Sequence, residues 1–336
     1  MTPVSPQLDI DVVGFGNALV DVLSHQEDQF IDDIGAIKGA MNLIDKKRSN
    51  HLYGLVEERT TVSGGSAANT IIGVNSFGGS CAYIGRVAAD DLGEVFHEDM
   101  SRLGIVHTTP FAPTEDPTGR CIVFVTPDGE RTLNTFLGSS NGLKSSDVDM
   151  ELVKRAKLLF LEGYLWDPPE AKAAMRYAAS GVEPGGRVAL TLSDQFCVDR
   201  HRASFMDLID DYVDVLFAND FEIQSLFEVE QLELALNLIS ERVELAAITL
   251  GAEGSVLITP GDRTYIAADP VARVIDKTGA GDLYASGVLY GLARGYDLER
   301  SGKLGSLAAE EVIGLSLIHI SEPTRQEAIS YAVFCL

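Results

Sequence analysis

Cysteine is scarce in this chain, and long apolar runs are absent. Four cysteines are scattered over 336 residues without a C-x-x-C pair, so the sequence predicts neither a disulfide framework nor a zinc site. No secretory signal opens the sequence, and no stretch reaches the roughly 18 uncharged apolar residues that a membrane span requires. We therefore expect a soluble, cytoplasmic protein with no membrane partner.

Basic residues are also few, with 26 Lys and Arg against 50 Asp and Glu, for a formal net charge of -24. A surface for nucleic acid or anionic lipid would form against a repulsive field, so we expect no nucleic-acid partner. A small anion can still bind where backbone N–H groups and a divalent cation act at short range. Hydrophobic residues make up 46% of the chain, which at this length is typical of a globular enzyme.

Strand and helix patterns alternate through the second half of the chain. Strands are predicted over 158–162, 187–191, 215–218 and 245–250, and helices over 169–180, 203–210, 222–227 and 232–241. Such alternation predicts an α/β fold with a doubly wound, mostly parallel sheet and helices on both faces. Ligands of such sheets bind beyond the carboxyl ends of the strands.

Two segments interrupt this rhythm. The sequence patterns over residues about 22–61 are short and irregular. We interpret this segment as strands and loops that end in a T-V-S-G-G turn. Within residues about 108–137, a P-D-G-E turn joins predicted strands over 121–126 and 132–137. Both segments are predicted to form a small β-sheet lid inserted into one domain over residues 1–314.

The strongest chemical signal is the sequence D-K-T-G-A-G-D, which ends at Asp282 and precedes a helical run. The small residues Gly279, Ala280 and Gly281 let backbone N–H groups converge at a helix N-terminus, where the helix dipole favours a phosphate. Asp282 would lie beside this anion hole, placed to accept a proton from an attacking hydroxyl. The alternative is a plain glycine-rich loop followed by a first-turn Asp.

Together with G-G-S-A-A-N at 64–69, this sequence resembles the signatures of the ribokinase-like (PfkB) family of carbohydrate kinases. The resemblance extends from Val12 to about Gly314. It implies an ATP-dependent kinase with Asp282 as catalytic base and residues 279–281 as the anion hole. Lys277 departs from the family pattern, in which a small or hydroxyl residue is usual.

The resemblance also implies an acceptor site, whose residues are Asn17, Asp21, Gly64, Gly65, Ser66 and Asn69. Asp21 ends a G-N-x-x-x-D sequence, and its carboxylate can accept hydrogen bonds from two vicinal hydroxyls. The preceding G-x-G is not a dinucleotide fingerprint, because Leu19 stands where a third glycine is required. The alternatives are a helix N-cap for Ser66 and a solvated side chain for Asp21.

For the nucleotide, the resemblance implies Asn219, Glu222, Thr249, Gly251, Gly254 and Thr278. Glu222 would hold Mg²⁺ through water, because magnesium keeps much of its water shell. A K⁺ ion near Asp276 is a further implication of the family. From the residues alone, Glu222 could equally be a first-turn acidic residue, and the glycines could belong to a hairpin turn.

Other side chains are candidates for the lid and for a nucleobase pocket. Arg131 follows the P-D-G-E turn and is expected to fold over the cleft and stabilise the phosphate in flight, and Arg120 ranks below it. Leu133, Tyr164 and Trp166 lie near predicted strand ends and could sandwich a base. The alternatives are an exposed turn for the arginines and core packing for the other three.

Within the family, the segments G-N-x-x-x-D, P-T-G-R-C and E-R-T-L-N look most similar to adenosine-kinase-like members. This implies phosphorylation of a primary hydroxyl of a ribonucleoside by in-line transfer, in a monomer or a homodimer. The alternatives are a kinase of ribose, fructose or a keto-deoxy sugar acid, and a non-catalytic nucleotide-binding regulator. Residues 315–336 cease to resemble the family, and we interpret them as an atypical, non-native tail.

Overall fold

A computed structural model describes residues 7–268 and 279–315 of the chain. The strands in these ranges are β1 (Ile10–Phe15), β2 (Leu19–His25), β3 (Met41–Leu43), β4 (Thr60–Gly64), β5 (Cys81–Ile84), β6 (Val106–His107), β7 (Gly119–Val125), β8 (Arg131–Phe136), β9 (Ala156–Glu162), β10 (Arg187–Thr191), β11 (Val215–Asn219), β12 (Leu245–Thr249), β13 (Ser255–Thr259) and β14 (Asp262–Ile266). The α-helices are α1 (Asp28–Asp33), α2 (Lys46–Leu55), α3 (Ser66–Ser76), α4 (Asp91–Arg102), α5 (Met150–Lys154), α6 (Pro169–Ser180), α7 (Gln195–Tyr212), α8 (Asp220–Phe227), α9 (Leu232–Ser240), α10 (Ala280–Ala293) and α11 (Leu298–Leu315).

The larger sheet, within the described ranges, has nine strands in the order β14-β13-β12-β11-β10-β9-β1-β5-β6. Its strands pair in parallel, except that β13 pairs antiparallel with β12 and with β14. Thr191 pairs with Glu162, and Asn219 pairs with Thr249, so the carboxyl ends of four strands form one edge. The predicted fold class is confirmed.

Helices cover both faces of this sheet because successive residues of each strand point to opposite sides. In β1, Val12 packs in the core cluster that contains α3, α10 and α11, whereas Val13 and Phe15 pack in the cluster that contains α6, α7, α8 and α9. These strand positions are almost entirely buried, as expected of a parallel sheet between two helical layers.

The smaller sheet has the strand order β3-β8-β7-β2-β4 in the part of the chain that the structure describes. Val22 and Phe124 on one face join the main core. Leu23, Cys121 and Val123 on the opposite face form a small separate cluster. The predicted hairpin is confirmed as β7 and β8, which pair antiparallel.

Two local predictions were wrong. Residues 28–33 and 46–55, which we expected to be strands and loops, form the helices α1 and α2. The Asp45 side chain caps the N-terminus of α2, and only Ser49 and Leu52 of this helix are buried, so the sequence has no apolar periodicity there. The T-V-S-G segment is strand β4, which pairs with β2, because a neighbouring strand satisfies its backbone hydrogen bonds.

The expectations about disulfides and membrane-spanning segments can be compared only with the residues that the structure describes. Cys81, Cys121 and Cys197 are buried free thiols, in line with the absence of a disulfide framework. Over the same ranges, no helix combines the length and apolarity that crossing a bilayer requires.

Candidate active site

A cavity of about 680 Å³ lies between the carboxyl ends of the parallel strands and the smaller sheet. Many of the residues that the sequence predicted for a site meet on its wall. They are Asn17, Asp21, Gly65, Ser66, Asn69, Asn219, Glu222, Thr249, Gly279, Gly281 and Asp282. The tertiary structure therefore brings together segments that lie as far apart in the sequence as Asn17 and Asp282.

Other predicted residues do not line this cavity. Gly64 supports the acceptor side, because a Cβ atom there would lie 2.6 Å from Cγ of Asp21. Gly251 and Gly254 instead shape the turn between β12 and β13, where a Cβ on Gly254 would meet the Ile266 carbonyl oxygen at 2.0 Å. Ala280 is the first residue of α10. Thr278 and Asp276 lie outside the described residues.

Asp282 lies in the first turn of α10, directly after the helix N-terminus. Gly279 is the N-cap residue and has φ +79°, a left-handed conformation that glycine adopts without steric cost. The Asp282 carboxylate accepts hydrogen bonds from the Ser66 hydroxyl at 2.6 Å and from the Asn69 amide at 3.3 Å. Burial raises the pKa of Asp282 to about 6, although both hydrogen bonds oppose the rise. A carboxylate with such a pKa is mostly ionised near neutral pH and can accept a proton.

Asp21 lies on β2 and faces the same cavity. Burial raises its pKa to about 7; the positive charge of Arg131 opposes this rise, and the negative charge of Asp282 adds to it. Arg131, the first residue of β8, therefore acts electrostatically on the Asp21 carboxyl. Its predicted contact with a phosphate stays a prediction.

Glu162 is a central residue of the site that the sequence reasoning missed. Its side chain is 1% exposed, and one oxygen accepts from the Asn17 amide Nδ2 at 2.7 Å and from the Asn17 backbone N–H at 3.3 Å. The other oxygen accepts from the Ala67 backbone N–H at 2.8 Å. Burial raises the pKa of Glu162 to about 7. The only signal in the sequence was an acidic residue at the end of a predicted buried strand.

Asn219 and Glu222 form a reciprocal cap at the start of α8. The Asn219 side chain accepts from the Glu222 backbone N–H at 2.8 Å, while the Glu222 carboxylate accepts from the Asn219 amide and backbone nitrogens at 2.7 and 3.0 Å. Burial and the negative charges of Asp194 and Asp220 raise the pKa of Glu222 to about 7. Glu222 is thus an acidic residue in the first turn of α8, which was the alternative interpretation from the sequence, and it also lies on the cavity wall.

The described residues contain no group of three or more His, Cys, Asp or Glu side chains able to hold a metal. Asn219, Glu222 and Asp282 place side-chain oxygen atoms on the cavity wall, which is the ligand type that hard divalent ions prefer. Burial raises the pKa of Glu222 and the pKa of Asp282, and a bound cation would favour the ionised form of both carboxyls. The donor set fits a cation that arrives with its anionic substrate.

Two of the three residues that we considered for a nucleobase pocket line the cavity, and the third does not. Leu133 and Tyr164 line the cavity. Trp166 does not: it is fully buried, stacks on Phe205 and donates to the Ser204 hydroxyl at 2.8 Å, so it is a core residue. Phe196, which the sequence reasoning missed, lines the cavity while 74% exposed.

Arg120 is likewise a buried residue that links two elements and does not line the cavity. It is 7% exposed and donates to the Ser49 hydroxyl at 2.7 Å and to the Asn50 side-chain oxygen. These contacts join β7 to α2 on the face of the small sheet that is turned away from the cavity. The lower rank given to Arg120 as a lid arginine is consistent with this position.

Comparison with known proteins agrees with this geometry. The model of the pfkB family carbohydrate kinases matches residues 30–325. The chain belongs to the PfkB family. Family membership makes it a kinase and implies ATP, a divalent metal and a small-molecule acceptor, and the matched segment contains Asp282 and the residues before it.

Several PfkB relatives cover nearly the whole chain. Adenosine kinase from Sinorhizobium meliloti is 44% identical over 95% of this chain and 99% of its own, with a TM-score of 0.84. A probable sugar kinase from Rhizobium etli CFN 42 is 43% identical over 96% of this chain and 100% of its own, with a TM-score of 0.83. Adenosine kinase from Saccharomyces cerevisiae is 25% identical over 96% of this chain and 98% of its own.

Proposed function

We propose that this PfkB kinase transfers the terminal phosphoryl group of ATP to the primary hydroxyl of a ribonucleoside, with adenosine as the first candidate. The observation that carries the proposal is the position of Asp282. Its carboxylate lies at the N-terminus of α10 and is hydrogen-bonded to Ser66 and Asn69, on the cavity wall that also contains Asp21. Residues that we propose for the base, the anion site and the acceptor site therefore line one cavity.

In the proposed reaction, the 5′-hydroxyl oxygen attacks the γ-phosphorus in line with the departing ADP oxygen. The bond from phosphorus to the acceptor oxygen forms as the bond to ADP breaks, and the hydroxyl proton passes to the Asp282 carboxylate. Backbone N–H groups at residues 279–281 would stabilise the transferring group. Asp21 and Asn69 would bind the ribose hydroxyls and thereby hold the primary hydroxyl against Asp282.

The nucleotide would lie along the strand ends that carry Asn219 and Thr249. Mg²⁺, when bound, supplies positive charge to the phosphates in a region whose carboxylates otherwise repel them. Glu222 would contact it through water. Asp276 remains our candidate for a K⁺ site, and equal activity in potassium and in a large organic cation would refute it.

A nucleoside is favoured over a sugar by the apolar side of the cavity. Tyr164, Phe196 and Leu133 line it, and the flat aromatic rings of the first two are surfaces on which bases stack. The adenosine kinase relative at 44% identity supports the same acceptor. The probable sugar kinase at 43% identity supports the second candidate, a sugar kinase, because both share the catalytic segments.

The proposal is tested by measuring ADP release from Mg-ATP with adenosine, other nucleosides, ribose, fructose and keto-deoxygluconate. The same panel is run with Asp282→Asn, which keeps the size of the side chain but cannot accept the proton. We expect turnover of adenosine and a loss of about a hundredfold or more in kcat for the variant. Circular dichroism and the melting temperature establish that the variant is folded.

The other outcomes are distinct. Turnover of a sugar alone would refute the nucleoside and support the second candidate. Silence with every acceptor in a folded protein that still binds ATP would favour a non-catalytic regulator. Full activity of Asp282→Asn would contradict the assigned base.

A further inference from the structure

One wall of the cavity consists of the first turns of α7 and the short 3₁₀ helix at 163–166 that follows β9, together with Asp167. Four hydrogen bonds join residues 163–167 to α7 and to the residue Ser193 that precedes it. The pairs are Tyr164 backbone N–H to Ser193 Oγ at 3.1 Å, Cys197 Sγ to the Gly163 carbonyl at 3.2 Å, Trp166 Nε1 to Ser204 Oγ at 2.8 Å, and His201 Nε2 with Asp167 at 2.5 Å. These bonds hold the backbone of residues 163–167 against α7, which favours a preorganised wall.

Asp167 and Arg200 are the polar pair that this wall presents to the cavity. Arg200 Nε and Nη2 donate to the two oxygens of Asp167 at 3.3 and 3.1 Å. The side chains remain 50% and 41% exposed, for Arg200 and Asp167 respectively. Among the described residues, Arg200 Nη1 has no protein acceptor, so both its hydrogens are available to a ligand.

The charge of Arg200 sets it apart from the rest of the cavity. Other charged side chains on the described part of the wall are carboxylates, namely Asp21, Glu162, Asp194, Glu222 and Asp282. The Asp167 carboxyl behaves differently from the buried ones: although burial opposes it, hydrogen bonds from His201 and Arg200 lower its pKa. The pair thus offers a permanent anionic acceptor beside a permanent cationic donor.

Phe196 lies one helical turn before Arg200 on α7 and is 74% exposed at the cavity. Residues four apart on a helix lie on the same face. A flat ligand stacked on Phe196 would therefore present its edge toward Arg200 and its partner Asp167. An aromatic face next to a donor and an acceptor is the combination that recognises a heteroaromatic ring.

We propose that Asp167 and Arg200 are the specificity-determining residues that read the base of the acceptor, an inference that rests on the proposed nucleoside kinase function. Asp167 accepts a hydrogen bond from an exocyclic amine, and Arg200 donates to an adjacent ring nitrogen. This pattern matches the amine and ring nitrogen of a 6-aminopurine. A 6-oxopurine places a carbonyl oxygen against the carboxylate, which leaves two acceptors facing each other and is disfavoured.

The test compares kcat/KM for adenosine and for inosine in the wild type, Asp167→Asn and Arg200→Gln, with the KM for ATP measured in parallel. The Asn amide can donate to a 6-carbonyl, so the preference for adenosine over inosine should fall about tenfold in Asp167→Asn. Arg200→Gln should raise the KM for adenosine about tenfold, with kcat and the KM for ATP within twofold of wild type. These modest factors follow from the partial exposure of the pair.

The chain offers a matched control in Asp9 and Arg155. Arg155 donates to both oxygens of Asp9 at 2.8 Å, and the two side chains are 50% and 38% exposed, but neither lines the cavity. Asp9→Asn and Arg155→Gln should leave every kinetic constant unchanged. If they alter the adenosine preference as much as the Asp167 and Arg200 variants do, the inference is wrong.

Failure of the inference and failure of the proposed function give different results. If wild-type protein phosphorylates adenosine but Asp167→Asn keeps the same adenosine-to-inosine ratio within twofold, the pair does not read the base. If wild-type protein phosphorylates sugars and no nucleoside, the proposed function fails and the inference fails with it. That second result is visible before any variant is made.

Discussion

The Ser66 hydroxyl donates a 2.6 Å hydrogen bond to the carboxylate of Asp282, a residue 216 positions further along the chain. The bond joins the first turn of α3 to the first turn of α10. It brings the acceptor segment and the proposed base into one unit, and it stabilises the ionised form of a carboxyl whose pKa burial raises. The pKa of Asp282 therefore depends on a residue that is distant in the sequence.

Substituting Ser66→Ala should shift the pH dependence of the kinase. Activity that requires ionised Asp282 should rise with pH through about 6, the pKa of that carboxyl. Removing the hydroxyl removes a hydrogen bond to the charged form, so the inflection should move to higher pH. The pH profile of kcat/KM checks this. Ser76→Ala is the control, since its hydroxyl bonds the Gly73 carbonyl on the same helix; an equal shift there would contradict the assignment.

The ligand-free protein should lose stability as the pH rises from 5 to 8. Burial raises the pKa of Asp21, Glu162 and Glu222 to about 7. A carboxyl whose folded pKa lies above its unfolded value favours folding most at low pH, and that contribution is lost as the pH passes the folded pKa. Melting temperatures measured over this range check the direction of the change.

Glu222→Gln should make that decline shallower, because the glutamine stays neutral at every pH. Glu228→Gln is the matched control, since Glu228 is an exposed residue at the other end of α8. A wild-type slope in Glu222→Gln would show that burial of this carboxyl does not govern the pH dependence.

Gly16→Ala should disturb the acceptor site through Glu162. A Cβ atom at this position would lie 2.3 Å from Oε2 of Glu162 and 2.7 Å from Cβ of Ala67, so the carboxylate or α3 must move. We expect destabilisation of about 1–3 kcal/mol and a raised KM for the acceptor, measured by urea denaturation and steady-state kinetics. Gly54→Ala in α2 meets no heavy atom within 4 Å and should stabilise the protein by up to about 1 kcal/mol. Wild-type behaviour of Gly16→Ala would refute the close contact.

Phe196→Ala should weaken nucleoside binding without affecting folding. The side chain is 74% exposed, so its removal costs little core packing, whereas loss of a stacking surface costs about 1–3 kcal/mol per base. The KM for adenosine should rise about tenfold at an unchanged melting temperature. Phe221→Ala, 64% exposed in the first turn of α8, should leave that KM unchanged. If both variants leave it unchanged, the base does not stack on Phe196.

Part of the site was predictable because its chemistry is local in sequence. Gly279, Ala280 and Gly281 directly precede Asp282 at the N-terminus of α10, and a helix N-terminus preceded by small residues needs no distant partner to favour an anion. The cap formed by Asn219 and Glu222 is likewise complete within four residues. Helix α2 was missed because its stabilising contacts are distant ones, such as those of Ser49 and Asn50 with Arg120.

By itself, the sequence determined the alternation of strands and helices, the hairpin of the small sheet, and the short segments in which most of the candidate site residues lie. Only the tertiary structure decided which individual side chains from other parts of the chain line the cavity. Glu162 bonds Asn17 and Ala67, and Arg200 reaches the cavity, whereas Trp166 turns into the core. Periodicity tells which face of an element is apolar, but the partner of a polar side chain depends on which strand ends the sheet order brings together.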